Sequence, residues 1–194
     1  MNWLAKEAPV TTEALEQAIA STRQVLGAVS KDQLGDDTPC AAWKVSDLIN
    51  HIVGGLHFFE AGAKGEPPAG AEVDFSASDF VAAYDEAAVR CVAAFQVDGL
   101  MDKLLTLPFG QMPGSAFAGL AAVDNFTHGW DLAKATGQST DLAPELAVQL
   151  LAGARQSVPP EYRSEDGAMF GLEQEAPADA SNADKLAAFL GRWA

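Results

Sequence analysis

The chain has 194 residues, 12 Lys and Arg against 27 Asp and Glu for a net charge of −15, and only 3 His and 2 Cys. A charge of that sign repels phosphate backbones and no basic stripe offsets it, which argues against a nucleic-acid partner. Hydrophobic content of 48% is that of a globular chain, no run nears the roughly 18 apolar residues of a membrane span, and the length suits one domain over residues 1–194.

The opening Met1 to Glu7 lacks the basic and apolar regions of a signal peptide. Cys40 and Cys91 lie far apart with no CxxC, so neither a disulfide framework nor a cysteine-based zinc site is signalled. A cytoplasmic protein, monomer or homodimer, is expected. No internal repeat or low-complexity tract interrupts the chain.

Helix one is predicted from Glu13 to Val29, capped by Thr11 or Thr12, because Leu15, Ile19, Thr22, Leu26 and Val29 recur at the spacing of one helix face. A loop from Asp36 to Lys44 leads into helix two, Val45 to Ala63, with its stripe at Leu48, Ile52, Gly55 and Phe59. Helix three follows Ser76-Ala77-Ser78-Asp79, read as a capping box, and buries Phe80, Tyr84, Ala88, Cys91 and Phe95. Residues 104–110 read as a short extended stretch and Pro113-Gly114 as a turn. Helix four is predicted from Ser115 to a Gly137 cap, helix five from Pro144 to Gln156. Residues 159–194 read as partly irregular, ending in a short helix after Ser181 that buries Leu186, Phe189 and Leu190. The fold class is all-α: an up-and-down four-helix bundle with additional short helices.

The chemistry concentrates in Asp124-Asn125-Phe126-Thr127-His128-Gly129-Trp130-Asp131. Asp124 and His128, four apart, stack one helical turn over another on a face that also carries Phe117, Ala121 and Ala135. A carboxylate on a partly buried face needs a compensating partner, which is either the histidine itself or a metal ion. Spacing alone favours the plain hydrogen-bonded pair. His51 brings the metal reading level with it, because it lies beside the core-facing stripe of helix two, where Gly55 leaves space next to its ring. Two imidazoles and a carboxylate make a three-ligand set with open positions, suited to Zn, Ni or Fe(II). His57 is about 120° further round the helix, so it reads as exposed or structural. Asp131 is placed either to orient His128 or, as the better reading, as a solvated carboxylate near the helix end. Cys40 reads as a small buried cysteine rather than a reactive thiol at a helix start, and Trp43 and Trp130 as packing residues. Nucleotide-binding, serine-hydrolase and zincin motifs are absent.

Thr38-Pro39-Cys40-x-x-Trp43-x-Val45-x-Asp47-Leu48-x-Asn50-His51, followed by Asp124-x-x-x-His128-Gly129-Trp130-Asp131-Leu132-Ala133-x-Ala135-Thr136-Gly137, resembles the mycothiol-dependent maleylpyruvate isomerase N-terminal (DinB-like) superfamily. The end of the chain, Pro177 to Ala180 and Lys185 to Arg192, is similar as well. The resemblance implies a DinB-like bundle holding a divalent metal through His51, Asp124 and His128, with Asp where the isomerase has Glu. It further implies mycothiol as cosubstrate, its sulfur activated as the thiolate, so the partners would be a small-molecule thiol and an electrophilic substrate. The isomerase has a second, C-terminal domain for which 194 residues leave no room. The expected activity is therefore a thiol-dependent transfer or isomerisation at the same metal. A metal-dependent hydrolase, or a non-catalytic stress protein that binds metal or a small ligand, are the alternatives.

Overall fold

The computed structural model describes residues 12–40, 42–67, 73–158, 160–164 and 170–192. The Met1–Glu7 start, Thr11 and parts of the Pro159–Pro177 stretch lie outside them.

Four long helices form the body: α1 (Glu13–Gly27), α2 (Val45–Lys64), α3 (Phe80–Phe95) and α4 (Gly114–Ala135). Helix α1 lies along α4 and touches α3, while α2 lies along both α3 and α4, so the four close around one core. Two shorter helices, α5 (Pro144–Ser157) and α6 (Asn182–Phe189), pack on each other and on α4. The predicted core stripes are observed: Leu48 and Ile52 on α2, and Phe80, Tyr84, Ala88, Cys91 and Phe95 on α3, are all buried.

Some boundaries differ from the sequence reading. Helix α1 stops at Gly27, and a 3-10 turn over Lys31–Gly35 follows it. Thr12 spends its hydroxyl on the Glu16 carboxylate and not on the helix backbone. Asp79 alone caps α3, accepting the Ala82 amide at 3.0 Å, while Ser76 turns to Asp74 and Asn50. The extended stretch is the first half of a hairpin, β1 (Leu104–Leu107) and β2 (Gly110–Pro113), antiparallel with Leu104 opposite Pro113. The turn is at Pro108-Phe109, and Pro113 leads directly into α4. Gly114 must be glycine there, because a Cβ would sit 2.0 Å from the Leu100 carbonyl oxygen.

Helix α4 is the hub. From Asn125 to Ala133 every one of its residues is buried, because α1, α2, α5 and α6 all contact it. Gly129 lets α1 approach closely, with Thr22 donating to the Asn125 carbonyl at 2.9 Å. The Tyr84 hydroxyl lies 2.9 Å from Asn125 Oδ1 and 3.1 Å from the Ile19 carbonyl, tying α3 to α4 and α1. No helix among the described residues is long and apolar enough to cross a membrane.

Candidate functional site

Helix α2 delivers His51 and α4 delivers Asp124 and His128 to one place. His51 Nε2 lies 3.9 Å from Asp124 Oδ1, and His128 Nε2 lies 3.6 Å from the same oxygen. Both separations exceed hydrogen-bond reach, so the carboxylate is near both rings and bonded to neither. One ligand atom from each of the three residues lies within 4.8 Å of the others. The imidazoles meet edge-on with centroids 4.5 Å apart, and Trp43 packs against both. His51 Nε2 is buried without any hydrogen-bond partner. The room that Gly55 leaves on α2 is taken by Asp124, whose Oδ2 would lie 3.5 Å from a Cβ at that glycine.

Behind His128, Asp131 departs from the expectation of a solvated carboxylate. It is fully buried, because α4 has no solvent-facing side at that level. Its Oδ2 lies 3.0 Å from His128 Nδ1, accepts the Cys40 thiol at 3.3 Å and receives Arg192 Nε at 3.4 Å. Three segments thus converge on one oxygen, while Oδ1 has no partner. Cys40 is half-buried, more accessible than the sequence reading had it, and it joins His128 and Asp131 in a second cluster of ligand atoms. His57 stands apart as expected, 3.1 Å from Arg90 and 3.6 Å from Glu60, with its ring against Phe75. Cys91 is core, where burial pushes its thiol up to about 12. Trp130 is buried and donates its indole N–H to Asp184 at 2.8 Å.

The electrostatics favour positive charge. Burial works against an imidazolium at His128, yet the hydrogen bond to Asp131 and the nearby Asp124 carboxylate hold its pKa up at about 10. Burial likewise works against the Asp124 carboxylate, but His51, His128 and Arg192 draw its pKa below the usual value. Between two carboxylates, the His128 ring holds a proton where a metal cation could supply the charge instead.

The cluster lies at the wall of a cavity of about 480 Å³. Phe58 and Phe59 of α2, Leu120, Val123 and Thr127 of α4, and Phe170, Leu190 and Arg192 from the end of the chain complete it. Phe170 falls in the irregular stretch after Pro159, which supplies part of the cavity wall. Arg192 is brought there by the turn at Gly191, whose φ is +87° and which abuts Gly171 so closely that a Cβ would lie 2.4 Å from its Cα.

The mycothiol maleylpyruvate isomerase N-terminal domain family model matches residues 15–133. The chain belongs to that family. Uncharacterized proteins from two strains of Mycobacterium tuberculosis are each 46% identical to it over 170 residues, covering 87% of this chain and 90% of theirs. A crystal structure of the mycothiol-dependent maleylpyruvate isomerase superposes with a TM-score of 0.59 at 15% identity, covering 75% of this chain and 69% of that one. A histidine-to-alanine mutant of that isomerase gives 0.60 at 14% identity, over 86% and 75% of the two chains. At such identities the likeness is one of fold, a DinB-like helical fold.

Of the residues singled out in the sequence, His51, Asp124, His128 and Asp131 come together and His57 does not. Arg192 and Thr127 were not anticipated as cavity residues. Asp131 carried a readable signal, its position three residues after His128 on one helix. Arg192 carried none, being 61 residues from Asp131 in sequence.

Proposed function

We propose that this family member holds a divalent metal through His51, Asp124 and His128 and uses it for a small-thiol-dependent transfer or isomerisation, with mycothiol as the cosubstrate. One observation carries the metal assignment: His51 Nε2 is buried and unpartnered within 4.8 Å of ligand atoms of Asp124 and His128. A buried nitrogen lone pair or N–H left unmet is costly, and a cation shared with a carboxylate and a second imidazole meets it. Family membership supports the thiol.

A divalent cation held there would favour the thiolate form of a bound thiol, which is the nucleophilic form. The chain's own residues do the rest. Asp131 accepts the His128 Nδ1–H, so the proton that metal uptake displaces is the one on Nε2, which faces Asp124. Trp43 restrains both rings from one side. The cavity wall beside the site carries Phe58, Phe59, Leu120 and Val123, an apolar surface for the body of a substrate. In a transfer, the thiol proton goes to solvent, the sulfur bonds to the electrophilic carbon, and the leaving group departs with its electron pair.

Metal analysis after reconstitution tests the site, and less than about a tenth of an equivalent of bound divalent metal would overturn it. With metal bound, thiol consumption against an electrophile panel tests the reaction, and no acceleration over the metal-free protein removes the enzymatic reading.

Two further outcomes follow. Metal uptake at neutral pH must displace the proton that His128 holds with a pKa of about 10. Affinity is therefore expected to rise about tenfold per pH unit between pH 7 and 9, with about one proton released per metal. Calorimetry in buffers of different ionisation enthalpy reads that proton, and a buffer-independent heat would refute the coupling. Asp131→Asn keeps the shape but removes the buried charge, and is expected to weaken metal binding about 10- to 100-fold. Competition with a chromophoric chelator measures it.

A further inference from the structure

The cavity beside the histidines is chemically lopsided. Phe58, Phe59, Leu120, Val123, Phe170 and Leu190 give it an apolar side, opposite in character to the histidines and Asp124. Such a wall gains by covering apolar surface and strips water from any charge brought against it. Besides the two histidines, Arg192 is the only basic residue among the described residues that line it, and two of its guanidinium nitrogens are engaged. Nε lies 3.4 Å from Asp131 and Nη1 donates to the Leu190 carbonyl at 3.2 Å.

The positive groups at the wall already face carboxylates: Arg192 and His128 both meet Asp131, and His128 lies beside Asp124. A bare anion brought into an apolar cavity is strongly disfavoured.

One polar group on the wall remains unmet. The Thr127 hydroxyl is buried, with the residue 3% exposed, and it has no hydrogen-bond partner. A helical threonine commonly returns its hydroxyl to the carbonyl one turn back, and Thr127 does not. A polar group on a bound ligand would satisfy it.

We infer that the second substrate is an uncharged electrophile with an aromatic or alkyl body and a single hydrogen-bonding head, and that Thr127 is the specificity-determining residue that receives this head. That the ligand is an electrophile rests on the thiol-transfer reading above; the preference for an uncharged, apolar body rests on the wall and on Thr127.

Ligand-observed NMR titration of the full chain, with metal content measured on the same sample, tests it with three unreactive probes. N-benzylacetamide has the apolar body and the head, toluene the body alone, and maleate is a small dicarboxylate. N-benzylacetamide is expected to bind at least about tenfold more tightly than maleate. Thr127→Val is expected to weaken N-benzylacetamide about three- to tenfold, the size of one hydrogen bond, and to leave toluene unchanged. Thr127→Ser keeps the hydroxyl and is expected to retain the affinity, which separates loss of the head contact from loss of folding. Maleate binding as tightly as N-benzylacetamide, or neither binding at millimolar concentration, overturns the proposal. An unchanged N-benzylacetamide affinity in Thr127→Val overturns the role of Thr127. A sample that takes up no metal on reconstitution yet prefers N-benzylacetamide refutes the metal reading alone, whereas a metal-loaded sample that prefers maleate refutes this inference alone.

Discussion

Replacing His51 with alanine is expected to abolish stoichiometric metal binding, while His57→Ala retains it. The two histidines sit six residues apart on α2 but face different neighbours. His51 meets Asp124 and the edge of the His128 ring, whereas His57 is engaged by Arg90 and Glu60. Removing one of three ligands from an open site leaves a carboxylate and one imidazole, too few to compete with water and buffer. A loss of about a thousandfold or more in affinity is expected, on the scale of the large free energies of metal–imidazole coordination. Metal analysis after gel filtration reads it directly. Because His51 Nε2 has no hydrogen bond to lose, the same substitution is expected to change the metal-free melting temperature little. Equal metal content in the two variants would refute the assignment.

The second large effect is one of stability, and it has opposite signs at two glycines of α4. A Cβ at Gly129 would lie 2.3 Å from Thr22 Oγ1 and 3.2 Å from its Cα, so relief must come from moving α1 itself. Such a shift also stretches the Thr22 bond to the Asn125 carbonyl. Gly129→Ala is expected to cost about 2 kcal/mol after the gain in helix propensity, lowering the melting temperature by roughly 4–8 °C. Gly119, on the exposed side of the same helix, has nothing within 4 Å of its Cβ position. Gly119→Ala is expected to stabilise by about 0.5–1 kcal/mol, through the lower chain entropy of the unfolded state. Thermal melts of the metal-free variants check both, and a Gly129→Ala protein as stable as the parent would show that α1 is not held where it is seen.

The sequence was most readable where the signal is periodic and local. The four long helices, the buried stripe of α3 and the separation of His51 from His57 all follow from the repeat of one helix face. The hairpin was half visible, since Leu104 to Leu107 reads as extended, but its partner is a strand of Gly110, Gln111, Met112 and Pro113 with no β-branched residue to announce it. Asp131 was misjudged for an equally physical cause. Its type predicts a surface position, and only the packing of four other helices around α4 removes its solvent. Thr127 was hidden by its neighbours, because an unmet hydroxyl is a property of the fold and not of the residue. Arg192, Phe170 and Leu190 reach the cavity from beyond the 15–133 stretch that the family model matches.

The convergence on Asp131 has a consequence for how the protein assembles. Its oxygen gathers Cys40 across 91 residues of chain and Arg192 across 61, whereas His128 is only three residues away. Contacts so distant in sequence form only after the chain has surrendered the entropy of large loops, and they are late arrivals in folding. The helices can therefore be in place while Asp131 is still a carboxylate without its thiol and guanidinium. On the metal reading proposed above, tight metal capture would be a signature of the finished tertiary structure, and a partly folded chain with full helical content would lack it.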